Sequence, residues 1–214
     1  MFKKYLKKLK QYSLFEKMQE LTLRILVLGD IGNRKAKLIT KYVEGYFPES
    51  LISTIGVEYK CKLIKIGKFS ISLHIWATSG DGRYRSYSNG FIYGVDGIFF
   101  VYDITNILSF SFIKERIDEL FYKNENERCK SILCGDYLEL EHERKVLKES
   151  LEKYGLKRHI PTFEISSETG HNLNEAFEKL VNLIMEGKTD EELIEQYSKN
   201  KPKNLSKGKK LLKA

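Results

Sequence analysis

The stretch "GDIGNRKAK", residues 29–37, sets Gly29, Gly32 and Lys35 between a short apolar run and a helical pattern. A loop so placed can cradle phosphate. Glycines let backbone N–H groups close on anionic oxygens at a helix N-terminus, and a lysine reaches the outer phosphates. The full pattern is Gly, four residues, Gly-Lys, then Ser or Thr. Here Arg34 stands at the second glycine position and Ala36 at the hydroxyl position. Three further stretches, "WATSGDG" (76–82), "CGDYLEL" (134–140) and "ISSETG" (165–170), also follow apolar runs and carry carboxylates and hydroxyls.

The elements that must position these residues can be read from hydrophobic period. "LRILVLG" is a short apolar run ending in glycine, a buried strand feeding the first loop. "AKLITKYVEGYF" then spaces Leu38, Ile39, Tyr42 and Val43 as a helix does. Residues 57–76 hold two alternating runs joined by "IGKF", a hairpin. "DGIFFVYDI" (96–104) is nearly continuous apolar, as a strand covered on both faces should be. "SILCG" (131–135) and "PTFEIS" (161–166) are the next strands, and 109–122, 141–155 and 173–186 read as amphipathic helices. Alternating strand and helix predict a three-layer α/β domain on a mostly parallel sheet. In such a sheet ligands bind beyond the carboxyl ends of the strands, which is where the four loops fall.

The 214 residues suit one such domain with short extensions. Cys61, Cys129 and Cys134 have no metal-ligand spacing and read as reduced thiols. No apolar stretch approaches the ~20 residues of a spanning helix, and the Lys-rich N-terminus has no signal-peptide core. The formal charge of +8 sits at the ends. Residues 1–20 hold six lysines and two glutamates, and residues 198–214 hold seven lysines and no acid. The body between them is mildly acidic, unlike a nucleic-acid-binding surface. Three segments are expected: a basic amphipathic helix over 1–20, a folded domain over 21–187, and a charged helical turn with a Lys-rich tail over 188–214.

The blocks "STIGVEYK", "SLHIWATSGDGRYRS", "FIYGVDGIFFVYDIT", "CGDY" and "EISSE", in that order, resemble a small GTPase of the Ras superfamily, and within it the Rab branch. The Rab-type signatures are IGVEY (55–59), SLHIW (72–76), RYRS (83–86), FIYG (91–94) and VYDIT (101–105). The resemblance covers roughly residues 22–187. It implies a P-loop G-domain with a six-stranded, mostly parallel sheet and one antiparallel edge hairpin.

The same resemblance says which parts of a nucleotide site are kept. Gly29, Gly32 and Lys35 match the phosphate loop. Arg34 is expected to block the cradle or fold its guanidinium into it, or else to point to solvent. The family holds Mg²⁺ through a hydroxyl after the lysine and a Trp-Asp-Thr-Ala-Gly aspartate, and these positions are Ala36 and Ala77. Magnesium demands oxygen ligands, so a metal site is not expected, although Thr54 matches the switch-loop threonine. Asp81 follows Gly80 where the family orients water with a glutamine, so no catalytic residue is expected and turnover should be absent or very slow. Asn-Lys-x-Asp becomes Asp136, Tyr137, Leu138 and Glu139, with Tyr137 and Phe47 placed to sandwich a base. Ser166, Ser167 and Glu168 replace Ser-Ala-Lys. GTP or GDP is expected to bind weakly at best.

The resemblance also implies a surface. Ile55, Tyr59, Trp76 and Phe91 match the side where Rab proteins contact effectors, although the three aromatics would also serve as core. The chain ends "SKGKKLLKA" without a prenylatable cysteine. The expectation is therefore a monomeric, cytoplasmic, non-prenylated Rab-like pseudo-GTPase of membrane traffic. It would bind Rab effectors or regulators, and its basic ends would hold it peripherally on endomembranes. Two rivals stand beside it: a divergent active GTPase with slow hydrolysis, and an electrostatic membrane adaptor.

Overall fold

The computed structural model describes residues 19–30, 34–49, 57–78, 92, 94–123 and 129–198. Six strands form one sheet: β1 (Gln19–Leu28), β2 (Val57–Ile66), β3 (Phe69–Thr78), β4 (Gly97–Asp103), β5 (Lys130–Asp136) and β6 (Thr162–Glu164). Their order is β2-β3-β1-β4-β5-β6. Only the β2–β3 hairpin is antiparallel. This is the α/β sheet with one antiparallel edge that the sequence predicts. Among the described residues the helices are α1 (Arg34–Glu44), α2 (Ile107–Lys123), α3 (Lys148–Arg158), α4 (Leu173–Met185) and α5 (Asp190–Tyr197).

The alternation of β1 builds both layers. Leu21, Leu23, Ile25 and Val27 point into a core shared with Leu38, Ile39 and Tyr42 of α1 and Phe177, Leu180 and Ile184 of α4. Leu26 and Leu28 point the other way, onto Phe110, Ile113 and Ile117 of α2 and Leu151 of α3. Each fully buried Leu, Ile or Phe contributes about 1.5–3 kcal/mol, and two-sided burial of β1 fixes the position of Gly29 at its end. Tyr42 stacks on Phe177 with centroids 3.8 Å apart, tying α1 to α4. Gly45, at φ +84°, ends α1, and its N–H donates to the Lys41 carbonyl at 3.0 Å.

Two local readings change. The helix expected over 141–155 is α3, over Lys148–Arg158, preceded by a short 3-10 stretch at Leu138–Glu143. The chain between them is drawn out because the N–H groups of Lys145 and Val146 both donate to the Ile104 carbonyl at 2.9 Å, contacts a helical pattern cannot anticipate. At the N-terminal side, Gln19 and Glu20 begin β1 rather than ending a helix; residues 1–18 lie outside the described residues.

The expected charged turn is α5. It opens on a Thr189–Glu192 capping box and buries Leu193 and Tyr197 against the β1 side of the core. Lys68 pairs with Asp190, and Ser198 bridges to Leu21. Among the described residues no helix is long and apolar enough to cross a membrane.

Candidate nucleotide site

The sheet's carboxyl edge collects Gly29 after β1, Ala77 near the end of β3, Asp136 at the end of β5 and Ser166 after β6. Gly32, Thr54, Ile55, Gly80, Asp81 and Phe91 lie outside the described residues.

On the phosphate side, Lys35 sits in the first turn of α1 with 1 % of its surface exposed. Its Nζ donates to the Gly29 carbonyl at 2.6 Å. Burial depresses its pKa from 10.5 to about 8, against the raising effect of nearby Asp30. Asp30 accepts a hydrogen bond from Ser109 Oγ at the start of α2, and the same Oγ accepts from the Asp103 N–H at 3.0 Å. Gly29 has a packing reason to be glycine. A Cβ there would lie 2.1 Å from the Val101 carbonyl oxygen of β4.

The two positions that would supply oxygen to a magnesium ion are methyl groups in the interior. Ala36 and Ala77 are both buried, and Ala77 belongs to the apolar core with Val27 and Leu38. Thr40, one turn after Ala36, turns its hydroxyl back to the Ala36 carbonyl at 2.9 Å. The described residues at these positions do not fit a hard cation that needs oxygen ligands.

The base side is densely bonded. Asp136 is fully buried. Its Oδ1 accepts from the N–H groups of Tyr137 and Ser167, each at 2.8 Å, and its Oδ2 from Ser167 Oγ at 2.7 Å. Glu139 Oε2 accepts from Ser166 Oγ at 2.5 Å. The Ser167 N–H is thus already given to Asp136. Tyr137 holds a left-handed backbone, φ 75° and ψ 30°, which a non-glycine residue adopts at some cost.

Arg34 joins the two sides. Its guanidinium leaves the phosphate cradle, where it was expected either to block or to fold in, and it does not point to solvent. It runs to the base side. Nε donates to Asp136 Oδ2 at 3.1 Å, Nη2 pairs with Glu139 Oε1, and Nη1 lies 3.8 Å from Glu168 Oε2. The guanidinium carbon is 3.6 Å from the Tyr137 ring centroid and 5.2 Å from that of Phe47. Burial works to lower the Arg34 pKa, but the Asp136 and Glu139 carboxylates outweigh it and raise it. Burial pushes the Asp136 carboxyl up, with Arg34 and the Ser167 hydrogen bonds opposing. Glu168 was recognised only as a departure from Ser-Ala-Lys; the signal of its role is the reversed charge at that position.

On the hairpin, Tyr59 lies directly across from Trp76, with ring centroids 5.3 Å apart. Tyr59 is exposed, whereas Trp76 is half-buried and packs on the second core, so it serves partly as the filler that the sequence left open. His74, not singled out from sequence, completes a triangle of rings with them. Its Nδ1 meets the Tyr59 hydroxyl at 2.8 Å, and its ring lies 6.0 Å from that of Trp76.

Comparison with known proteins agrees with this architecture. A sequence model of the Ras family matches residues 24–186. The chain is 31 % identical over 191 residues to the Ras-related protein Rab-1 of Theileria annulata, covering 88 % of this chain and 84 % of that one. It is 33 % identical over 162 residues to Rab-13 of Mesocricetus auratus, covering 76 % and 79 %. With the Ras-related protein SEC4 of Candida albicans the identity is 29 % over 177 residues, covering 81 % and 82 %. With its one antiparallel edge, the Ras-family match over residues 24–186 and these likenesses to Rab-named proteins over three quarters or more of its length, the chain belongs to the Ras family of small GTPases.

Proposed function

We propose that this Rab-like G-domain serves membrane traffic as a pseudo-GTPase scaffold, engaging partners without a GTP cycle. The observation that carries the reading is the pair of buried methyl groups at Ala36 and Ala77. Neither offers an oxygen to a divalent ion, and without that ion the charge of a triphosphate is left to Lys35 alone among the described side chains of the cradle. Asp81 adds a negative charge where the family places a neutral amide. At ~4 Å and an effective dielectric of ~20, a unit-charge repulsion there costs about 4 kcal/mol.

The partners would be Rab-type effectors or regulators, meeting the hairpin surface at Tyr59 and Trp76 together with Ile55 and Phe91. Residues 1–20 and 198–214 would add contact with an anionic membrane. Removing both ends should abolish binding to anionic liposomes and leave partner binding intact.

Titration with fluorescent GTP and GDP, with and without Mg²⁺, tests the reading. No magnesium-dependent binding is expected, and micromolar, magnesium-dependent binding overturns it. The retention of Lys35, buried and bonded to the Gly29 carbonyl, favours the second reading of a slow GTPase. Single-turnover phosphate release above that of Lys35→Ala would establish it.

A further inference from the structure

We propose that Arg34 is a built-in ligand of the base pocket, its guanidinium standing where the hydrogen-bonding edge of guanine would otherwise lie. This rests on reading the sheet edge as a former nucleotide site, and goes further by naming what fills it.

The chemistry is one of matching donors. A guanidinium is a planar fork of N–H groups that pairs with carboxylates and stacks on aromatic faces. The N1–H and N2–H₂ edge of guanine is likewise a planar N–H fork on a flat ring. Around Arg34 the pocket offers what either group needs. Asp136, Glu139 and Glu168 supply carboxylate oxygens, and Tyr137 and Phe47 supply faces. These acceptors come from the end of β5 and the loops after β5 and β6, and Phe47 from the segment after α1. Arg34 therefore ties together three segments that are separate in sequence, as a ligand held among them would.

The local structure is bent to the same end. The left-handed backbone of Tyr137 sets its ring over the guanidinium. Glu139 uses one oxygen on Arg34 and the other on Ser166 Oγ, while Asp136 Oδ2 serves both Arg34 Nε and Ser167 Oγ and its Oδ1 takes the Ser167 N–H. Guanine could enter only by displacing Arg34 from its carboxylates. Its side chain is only 10 % exposed, so the exchange would leave an arginine without those partners.

The test uses the full chain, its Arg34→Gly variant and three probes: guanosine, adenosine and methylguanidinium. Unfolding is followed by the fluorescence of Trp76, the single tryptophan. The unaltered chain should melt at the same temperature with or without guanosine. Arg34→Gly should melt several degrees lower, regain part of the loss in methylguanidinium, and bind guanosine about tenfold or more tighter than adenosine. A variant that melts like the parent overturns the proposal. So does rescue by neither methylguanidinium nor guanosine, or a parent that takes guanosine as tightly as the variant.

Should Arg34→Gly not fold, the ¹⁵N side-chain spectrum of the parent decides. The Arg34 Nε–H, assigned by its loss in Arg34→Lys, should be protected from solvent exchange; a signal averaged with exposed arginines overturns the proposal. The two readings fail separately. Magnesium-dependent GTP binding with the Arg34 Nε–H still protected sinks the scaffold alone. An unprotected Nε–H in a chain that takes no nucleotide sinks the built-in ligand alone.

Discussion

Asp136 Oδ2, at the end of β5, accepts a hydrogen bond from Arg34 Nε at 3.1 Å, and the two residues stand 102 positions apart in the chain. Each is a departure from the Rab pattern, an arginine in place of glycine and an aspartate in place of asparagine. Each would be costly alone. Arg34 without a carboxylate is a cation with little access to water, and Asp136 without a cation is a fully buried anion. Together with Glu139 they form one compensated unit.

That unit should appear in a double-mutant cycle. Asp136→Asn removes the charge facing Arg34 and should cost about 3 kcal/mol, as breaking a buried pair does. Arg34→Gly with Asp136→Asn should cost less than the sum of the single changes, with a coupling of about 0.5–3 kcal/mol. Urea unfolding of the four proteins measures it. Strict additivity would mean that the pair is held together without energetic consequence.

Lys35 predicts a pH dependence. In the folded chain its pKa falls to about 8 from the ordinary 10.5, because burial penalises the charged ammonium. Below pH 8 both folded and unfolded chains carry the charge, and the folded state bears the whole burial cost. Between pH 8 and 10.5 the unfolded chain binds the extra proton, so the Lys35 contribution to stability rises with pH. The slope is about 1.4 kcal/mol per pH unit, and the total about 3 kcal/mol. Tyrosines and cysteines that burial holds protonated in the fold lose their protons in the same range once the chain unfolds, so the quantity to follow is the stability difference between the parent and Lys35→Met. It should move in favour of the parent across that window. A flat difference would place the ammonium in water.

The cysteines report on the core. Cys61 is exposed on the edge strand, Cys129 is half-buried with its thiol pushed up to about 12, and Cys134 is enclosed in β5 with its thiol held well above the usual range by burial. A maleimide reagent at neutral pH should modify one thiol rapidly in the native protein, Cys61, and all three in denaturant, as peptide mass mapping can show. Fast native labelling at Cys134 would contradict the central place of β5.

Gly29→Ala separates packing from ligand binding. The new methyl would collide with the backbone oxygen of Val101, which cannot rotate away as a side chain could. The substitution should destabilise the chain by about 3 kcal/mol in the absence of any nucleotide. If thermal unfolding is unchanged, β1 and β4 do not approach each other as closely as described.

Much of the architecture was legible because it is written locally. The short apolar run of "LRILVLG", the two-residue period of "VEYKCKLIKI" and the continuous apolar run of "DGIFFVYDI" are properties of neighbours, and each becomes the strand expected of it. The short loop between β2 and β3 made the hairpin antiparallel, since so few residues cannot carry a crossover. Where reading failed, a distant group had intervened. Residues 141–147 carry a helical pattern, but the Ile104 carbonyl draws two of their N–H groups away from it.

The sequence alone determined the layered sheet, the family likeness and the loss of oxygen at Ala36 and Ala77, since these depend on residue type and order. The destination of the Arg34 side chain was decided only by the folded chain. A guanidinium carries no record of which carboxylate it will meet, and three lie in its reach only because β5 and β6 set the loops of Asp136, Glu139 and Glu168 beside the start of α1. Charge pairing in a buried site acts across space, and space between such remote residues exists only after folding.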